Sequence, residues 1–256
     1  MPAKSLRGDG LVVSMLLAAA AAGWLFLGWA VMDMSHPLSR LMMPATAAWD
    51  LPVAAAVYAM WSVMMAAMML PSAVPMVLVV ARLCRHGGAT MAAGFFTAAY
   101  VLMWAGFSLL AAVAQWALQA AGLVSPDMAS TSPALTAALL LAAGAYQFTP
   151  AKGACLTRCR SPVAFVMAEW RRGRAGAFVM GLRHGLFCVG CCWALMTVLF
   201  VTGVMNLPLV ALLALAVALE KMTPWGGLIA RATGAVLLAA GAWTLLGPAA
   251  TGMADL

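Results

Sequence analysis

Runs of about twenty apolar residues recur along this chain, and a run of that length is what a helix needs to cross the hydrocarbon core of a bilayer. They lie at residues 11–32, 52–80, 92–123, 133–150, 177–204 and 228–246, with a shorter seventh at 207–222. In lipid every backbone N–H and C=O has to be satisfied within the chain, which leaves only helices and closed barrels as spanning structures. The runs are continuous rather than alternating, so a barrel is excluded. Hydrophobic residues make up 66% of the chain and charged ones 8%, against about 25% in a soluble domain. A Rossmann domain, a nucleic-acid-binding domain and a secreted disulfide scaffold are poor fits, and the net charge of +7 reads as membrane orientation. The expected fold is all-α, a polytopic helical membrane protein with about seven transmembrane helices.

Asn206 and Pro208 separate the sixth helix from the fifth, because fusing the two runs would make a helix far longer than the bilayer is thick. With the N-terminus inside, thirteen of the fourteen Lys and Arg residues fall on the cytoplasmic side, Lys4, Arg7 and Arg85 among them, and only Arg40 falls outside. That asymmetry predicts an N-in, C-out chain in the inner (cytoplasmic) membrane. The first run has a basic start but exceeds the roughly 7–15 residue core of a cleaved signal, so an uncleaved anchor is expected. The connection at 151–176 is expected to lie on the cytoplasmic surface, with Phe165 and Trp170 dipping inward and Arg171, Arg172 and Arg174 at the headgroups. No segment is long enough for a separate soluble domain, so residues 1–256 are read as one transmembrane domain.

Four groups of side chains carry candidate chemistry. The first is His184, Cys188, Cys191 and Cys192, whose spacings of three and four put His184, Cys188 and one of the cysteine pair on one helix face. Cys is also a small hydrophobe that packs well, but three cysteines within five residues and a histidine in register favour a metal site. The second is Met60, Met64, Met65, Met68 and Met69, followed by Pro71 and Pro75, which are expected to end that helix. At 1.5 Å rise per residue, Met64 to Met69 lie roughly 18–25 Å from the outer end of their helix and the cysteines roughly 17–22 Å from the inner end of theirs, so the two groups overlap in depth. Packing or lipid contact explains such a stripe as well as metal binding does.

The third group is an outer loop with Met34 and His36, flanked by Met32, Asp33, Met42, Met43 and Asp50, where thioether, imidazole and carboxylate meet. It is equally readable as a polar loop with anchoring methionines. The fourth is Cys155 and Cys159, among Lys152, Arg158 and Arg160, expected in a water-accessible loop as a second ligand pair, an exit point or a redox-active dithiol. Soft sulfur donors favour Cu(I), with zinc less suited. Glu220 and Lys221 are expected to form a surface-satisfied pair at an inner helix end. Phosphate loops and phosphorylation motifs are absent, which excludes an ATP-driven pump acting alone.

The segments Met64-Met65-Ala66-Ala67-Met68-Met69-Leu70-Pro71, Cys155-Leu156-Thr157-Arg158-Cys159-Arg160-Ser161-Pro162 and the run from His184 to Met196 resemble a bacterial family of predicted metal-binding integral membrane proteins, domain of unknown function 2182. The resemblance extends from the second helix to the seventh and implies membrane location and metal binding without implying a reaction.

The leading functional reading is a membrane protein that binds a soft metal ion, copper as Cu(I), for transport or for delivery to a copper protein. A membrane thiol-disulfide oxidoreductase is the enzyme-class alternative. An accessory or structural subunit of a larger membrane complex, with Met and Cys as packing residues, is the third. Partners are the lipid bilayer and such a copper protein or complex, with no nucleic acid.

Overall fold

A computed structural model of the chain describes residues 3–84, 89–125 and 128–246, and within these the side chains of residues 3–7, 89 and 90 are not described. Lys4, Arg7, Arg85 and the C-terminal residues on which part of the orientation argument rests therefore lie outside the described side chains. Eleven helices follow in order among the described residues: α1 (Ala3–Met32), α2 (Pro37–Met42), α3 (Leu51–Leu83), α4 (Ala89–Ala120), α5 (Pro133–Tyr146), α6 (Pro150–Arg160), α7 (Pro162–Glu169), α8 (Gly173–Thr197), α9 (Leu199–Thr202), α10 (Leu207–Met222) and α11 (Gly226–Leu246). The all-α polytopic fold is as expected. Among the described residues five helical segments are long and apolar enough to cross a membrane: Gly8–Met32, Leu51–Leu83, Met91–Ala120, Gly173–Thr202 and Gly226–Leu246.

The other two expected helices depart from simple spans. The run at 133–150 is a helix only to Tyr146, and the chain then bends by 63° into α6. The sharp change follows from Thr149 and Pro150: the threonine hydroxyl caps the backbone N–H of Lys152, and the proline opens the new helix, where its missing N–H costs nothing. The second exception, α10, has 16 residues and is about 24 Å long, short of the hydrocarbon thickness. Its start is as the sequence predicts, with Asn206 accepting from the N–H of Leu209 and Gly203 turning the chain at φ +79°.

Pro71 and Pro75 do not end their helix. α3 continues through both to Leu83, since neighbouring helices can supply the polar partners that a proline removes inside a membrane. Just before Pro71 the carbonyl of Met69 accepts from the hydroxyls of Ser72, at 2.9 Å, and Tyr100, at 3.2 Å.

α8 packs against α4 on one side and α6 on another; α3 packs against α4 and α1; α5 pairs with α11. The α4–α8 contact is close because Gly181 and Gly185, one turn apart, present no side chain: a Cβ on Gly181 would run into the carbonyl oxygen of Phe96, and one on Gly185 would lie 2.7 Å from Met103 Cβ. Small residues four apart are the usual device for bringing helix backbones together where lipid gives no hydrophobic drive. Asp9 at the start of α1 pairs with Arg82 in the last turn of α3 at 3.0 Å, which places those two ends on the same face.

Candidate metal centre

The site forms where α8 meets α6, α4 and α10, with Met69 of α3 joined to it through Lys221 and Tyr100. His184, Cys188, Cys191 and Cys192 are all buried, so both members of the cysteine pair are inside and not just the one that the helical spacing puts on the face of His184 and Cys188. The thiols of Cys191 and Cys192 both donate to the carbonyl of Cys188, at 3.1 and 2.9 Å, so the helix satisfies them locally. His184 sits among three rings: it stacks on Tyr100 with centroids 5.5 Å apart, lies 5.7 Å from Phe96, and meets Phe165 edge-on at 5.4 Å. Its buried Nδ1 has no hydrogen-bond partner among the described residues.

Cys155 and Cys159 are not in a separate water-accessible loop. Both lie on α6, both are half-buried, and α6 is laid along α8. Cys159 Sγ is 3.9 Å from Cys191 Sγ, and Cys155 Sγ packs onto Gly190, where a Cβ would come within 2.8 Å of it. The two cysteine groups thus form one cluster across the α6–α8 contact. All six cysteines, including Cys84 at the end of α3, are free thiols. Among the described residues no three His, Cys, Asp or Glu side chains form a ready-made metal cage.

The expected surface pair at the end of α10 is also corrected. Glu220 and Lys221 are both buried, and they have different partners. Glu220 accepts from Lys152 Nζ of α6 at 2.6 Å in an ion pair of which each side chain is 1% exposed. Lys221 points the other way, into the cluster, with Nζ 2.9 Å from Cys188 Sγ, 3.6 Å from Met69 Sδ and 3.5 Å from Ser72 Oγ. The Tyr100 hydroxyl is 3.0 Å from the same Cys188 sulfur. Composition allowed charge at that helix end to snorkel out; the packing of Gly226 against the Glu220 carbonyl and of α6 against α10 closes that route for Glu220.

Met60, Met64, Met65, Met68 and Met69 are all buried, so none of them is a lipid-facing residue. The expected overlap in depth with the cysteines is met by Met69, which shares Lys221 and Tyr100 with Cys188. Met34 and His36 are not brought to the cluster. Both sit in the turn between α1 and α2, where His36 Nδ1 accepts from the N–H of Leu38 and its ring lies edge-on to Trp29. The connection at 151–176 is two short helices, with Phe165 buried against His184 rather than in lipid and Trp170 exposed.

Tyr100 and Lys221 are the site residues that sequence reasoning missed. The signal for Lys221 was present, because an ionisable residue within an apolar helix is a functional candidate by default. Nothing marked Tyr100, whose role depends on which helix faces α8.

No curated protein and no solved structure matches this chain. A family model described as a copper chaperone matches residues 58–244, a stretch that contains Met60 to Met69, Tyr100 and every cysteine of the cluster. The chain belongs to the copper chaperone family PpoB2.

Proposed function

We propose that the protein holds Cu(I) as transient cargo inside the inner membrane and hands it to a copper protein. The observation that carries this reading is the gathering of Cys155, Cys159, Cys188, Cys191 and Cys192 around one helix contact, with Met69 beside them. Thiolate and thioether sulfur select Cu(I) over oxygen-seeking cations, and although cysteines with a histidine also suit zinc, a thioether among the donors favours Cu(I). Sulfurs that neighbour one another let the ion change ligands one bond at a time. In this scheme His184 is a further donor, Met60, Met64, Met65 and Met68 lead inward from the outer side, and Met34 with His36 collects the ion there. The likeness to domain of unknown function 2182 supports the same reading.

A thiol-disulfide oxidoreductase is the second reading, favoured by the 3.9 Å approach of Cys159 and Cys191. Copper content decides between the two. Reduced, detergent-purified protein is expected to hold about one Cu(I) per chain. A Cys188→Ser, Cys191→Ser, Cys192→Ser variant is expected to lose it, and a Cys155→Ser, Cys159→Ser variant to bind more weakly. Equal copper in the wild type and the triple variant would remove the proposed site. A reporter fused after Gly173 should report the cytoplasm, and an external signal would overturn the N-in orientation.

A further inference from the structure

The atoms around Lys221 Nζ are an odd set for an ammonium group. Its neighbours are the thiol sulfur of Cys188 at 2.9 Å, the thioether sulfur of Met69 at 3.6 Å and the hydroxyl of Ser72 at 3.5 Å. Lysine pairs elsewhere with carboxylates, and one is available to this helix at Glu220, but Lys152 occupies it. A buried cation without an anion is costly, so Lys221 and the Cys188 sulfur answer each other's charge. Two of the three atoms facing the ammonium are those that a soft monovalent metal ion would choose.

We infer that Lys221 is a built-in substitute for the cargo: its ammonium holds the Cys188–Met69 position in the metal-free protein and leaves when Cu(I) arrives. The inference rests on the copper reading above and adds to it a residue that sets both selectivity and release. Exchanging one monocation for another keeps the charge facing the Cys188 thiolate unchanged, which matters most where the dielectric is low. A divalent ion in the same place would add an uncompensated positive charge. Lys221 lies in the last turn of α10, next to Met222 and Thr223, from which a four-carbon stem can swing its head towards the membrane surface. On delivery the ammonium returns, so the emptied thiolate is never left without a cation.

The test uses the full chain, reduced and in detergent, titrated with Cu(I) against a chromophoric Cu(I) chelator. Lys221→Leu, which removes the competing cation without adding a metal donor, is expected to bind Cu(I) about tenfold tighter and to surrender it more slowly to the chelator. Lys221→Arg keeps a cation and is expected to show no such gain. Lys221→Leu binding no tighter than the wild type overturns the inference. Amine acylation of wild-type Lys221, read by peptide mass spectrometry, gives a second measurement that needs no variant to fold. Ag(I), a monovalent surrogate, is expected to raise labelling several-fold and Zn(II) to leave it unchanged; labelling that does not respond to Ag(I) also overturns it. A wild type that takes up no Cu(I) refutes the copper reading itself, which separates the two failures.

Discussion

Lys152 and Glu220 join α6 to α10 across 68 residues of chain, and their ion pair is expected to be the clasp that keeps the α6 cysteines on α8. Both side chains are 1% exposed, so solvent screening does little to weaken the pair. Glu220→Leu leaves an ammonium buried with no anion, and losses of that kind cost about 3–5 kcal/mol. For a chain of this size that lowers the midpoint of thermal unfolding by on the order of 10 °C. Removing both charges with Lys152→Met and Glu220→Leu is expected to recover most of the loss, since two apolar side chains of similar length can pack where the pair did. The assay is thermal unfolding in detergent followed by tryptophan fluorescence, with copper content measured on each variant. In the single variant copper should fall together with stability, because Cys155 and Cys159 ride on the helix that is released. If Glu220→Leu melts within about 2 °C of the wild type, or the double variant is as unstable as the single, the pair does not hold α6 in place.

Met64→Leu with Met68→Leu keeps nearly the same buried volume and is expected to cost less than about 1.5 kcal/mol while slowing loading from the outer side; unchanged loading would make the methionines packing residues and move the entry path elsewhere. Burial raises the Cys84 thiol above its ordinary range, so at any pH near neutrality less of it is thiolate, and its alkylation is expected to be slower than that of a free cysteine and to rise at higher pH. Alkylation rates read peptide by peptide across pH would contradict this if Cys84 responded at or below the pH of an ordinary thiol.

The helical runs, the break at Asn206 and a shared face for His184, Cys188 and one of the cysteine pair were legible because length and periodicity are local properties of the chain. The union of the two cysteine groups was not. It depends on the bend after Tyr146, and a sequence reading counted residues up to 150 as one straight helix. Pro71 and Pro75 misled for a related reason, since their effect in a helix depends on neighbours that only the fold supplies. The fate of Glu220 and Lys221 turned on tertiary pairing: hydropathy marks a charged helix end and does not say whether a partner 68 residues upstream will cover it.

The order in which the pieces of the centre leave the ribosome follows from that same long connection. α6 is made before α10, and at about 5–20 residues per second the lysine at 152 waits roughly 3–14 s for its glutamate. During that interval α6 can already lie against α8, but its buried Lys152 has no carboxylate to pair with. The clasp closes only once the chain after Val204 has folded back and α10 is in place. The clasp on α6 is therefore completed late in biogenesis, by the same helix that brings Lys221 to the sulfur cluster.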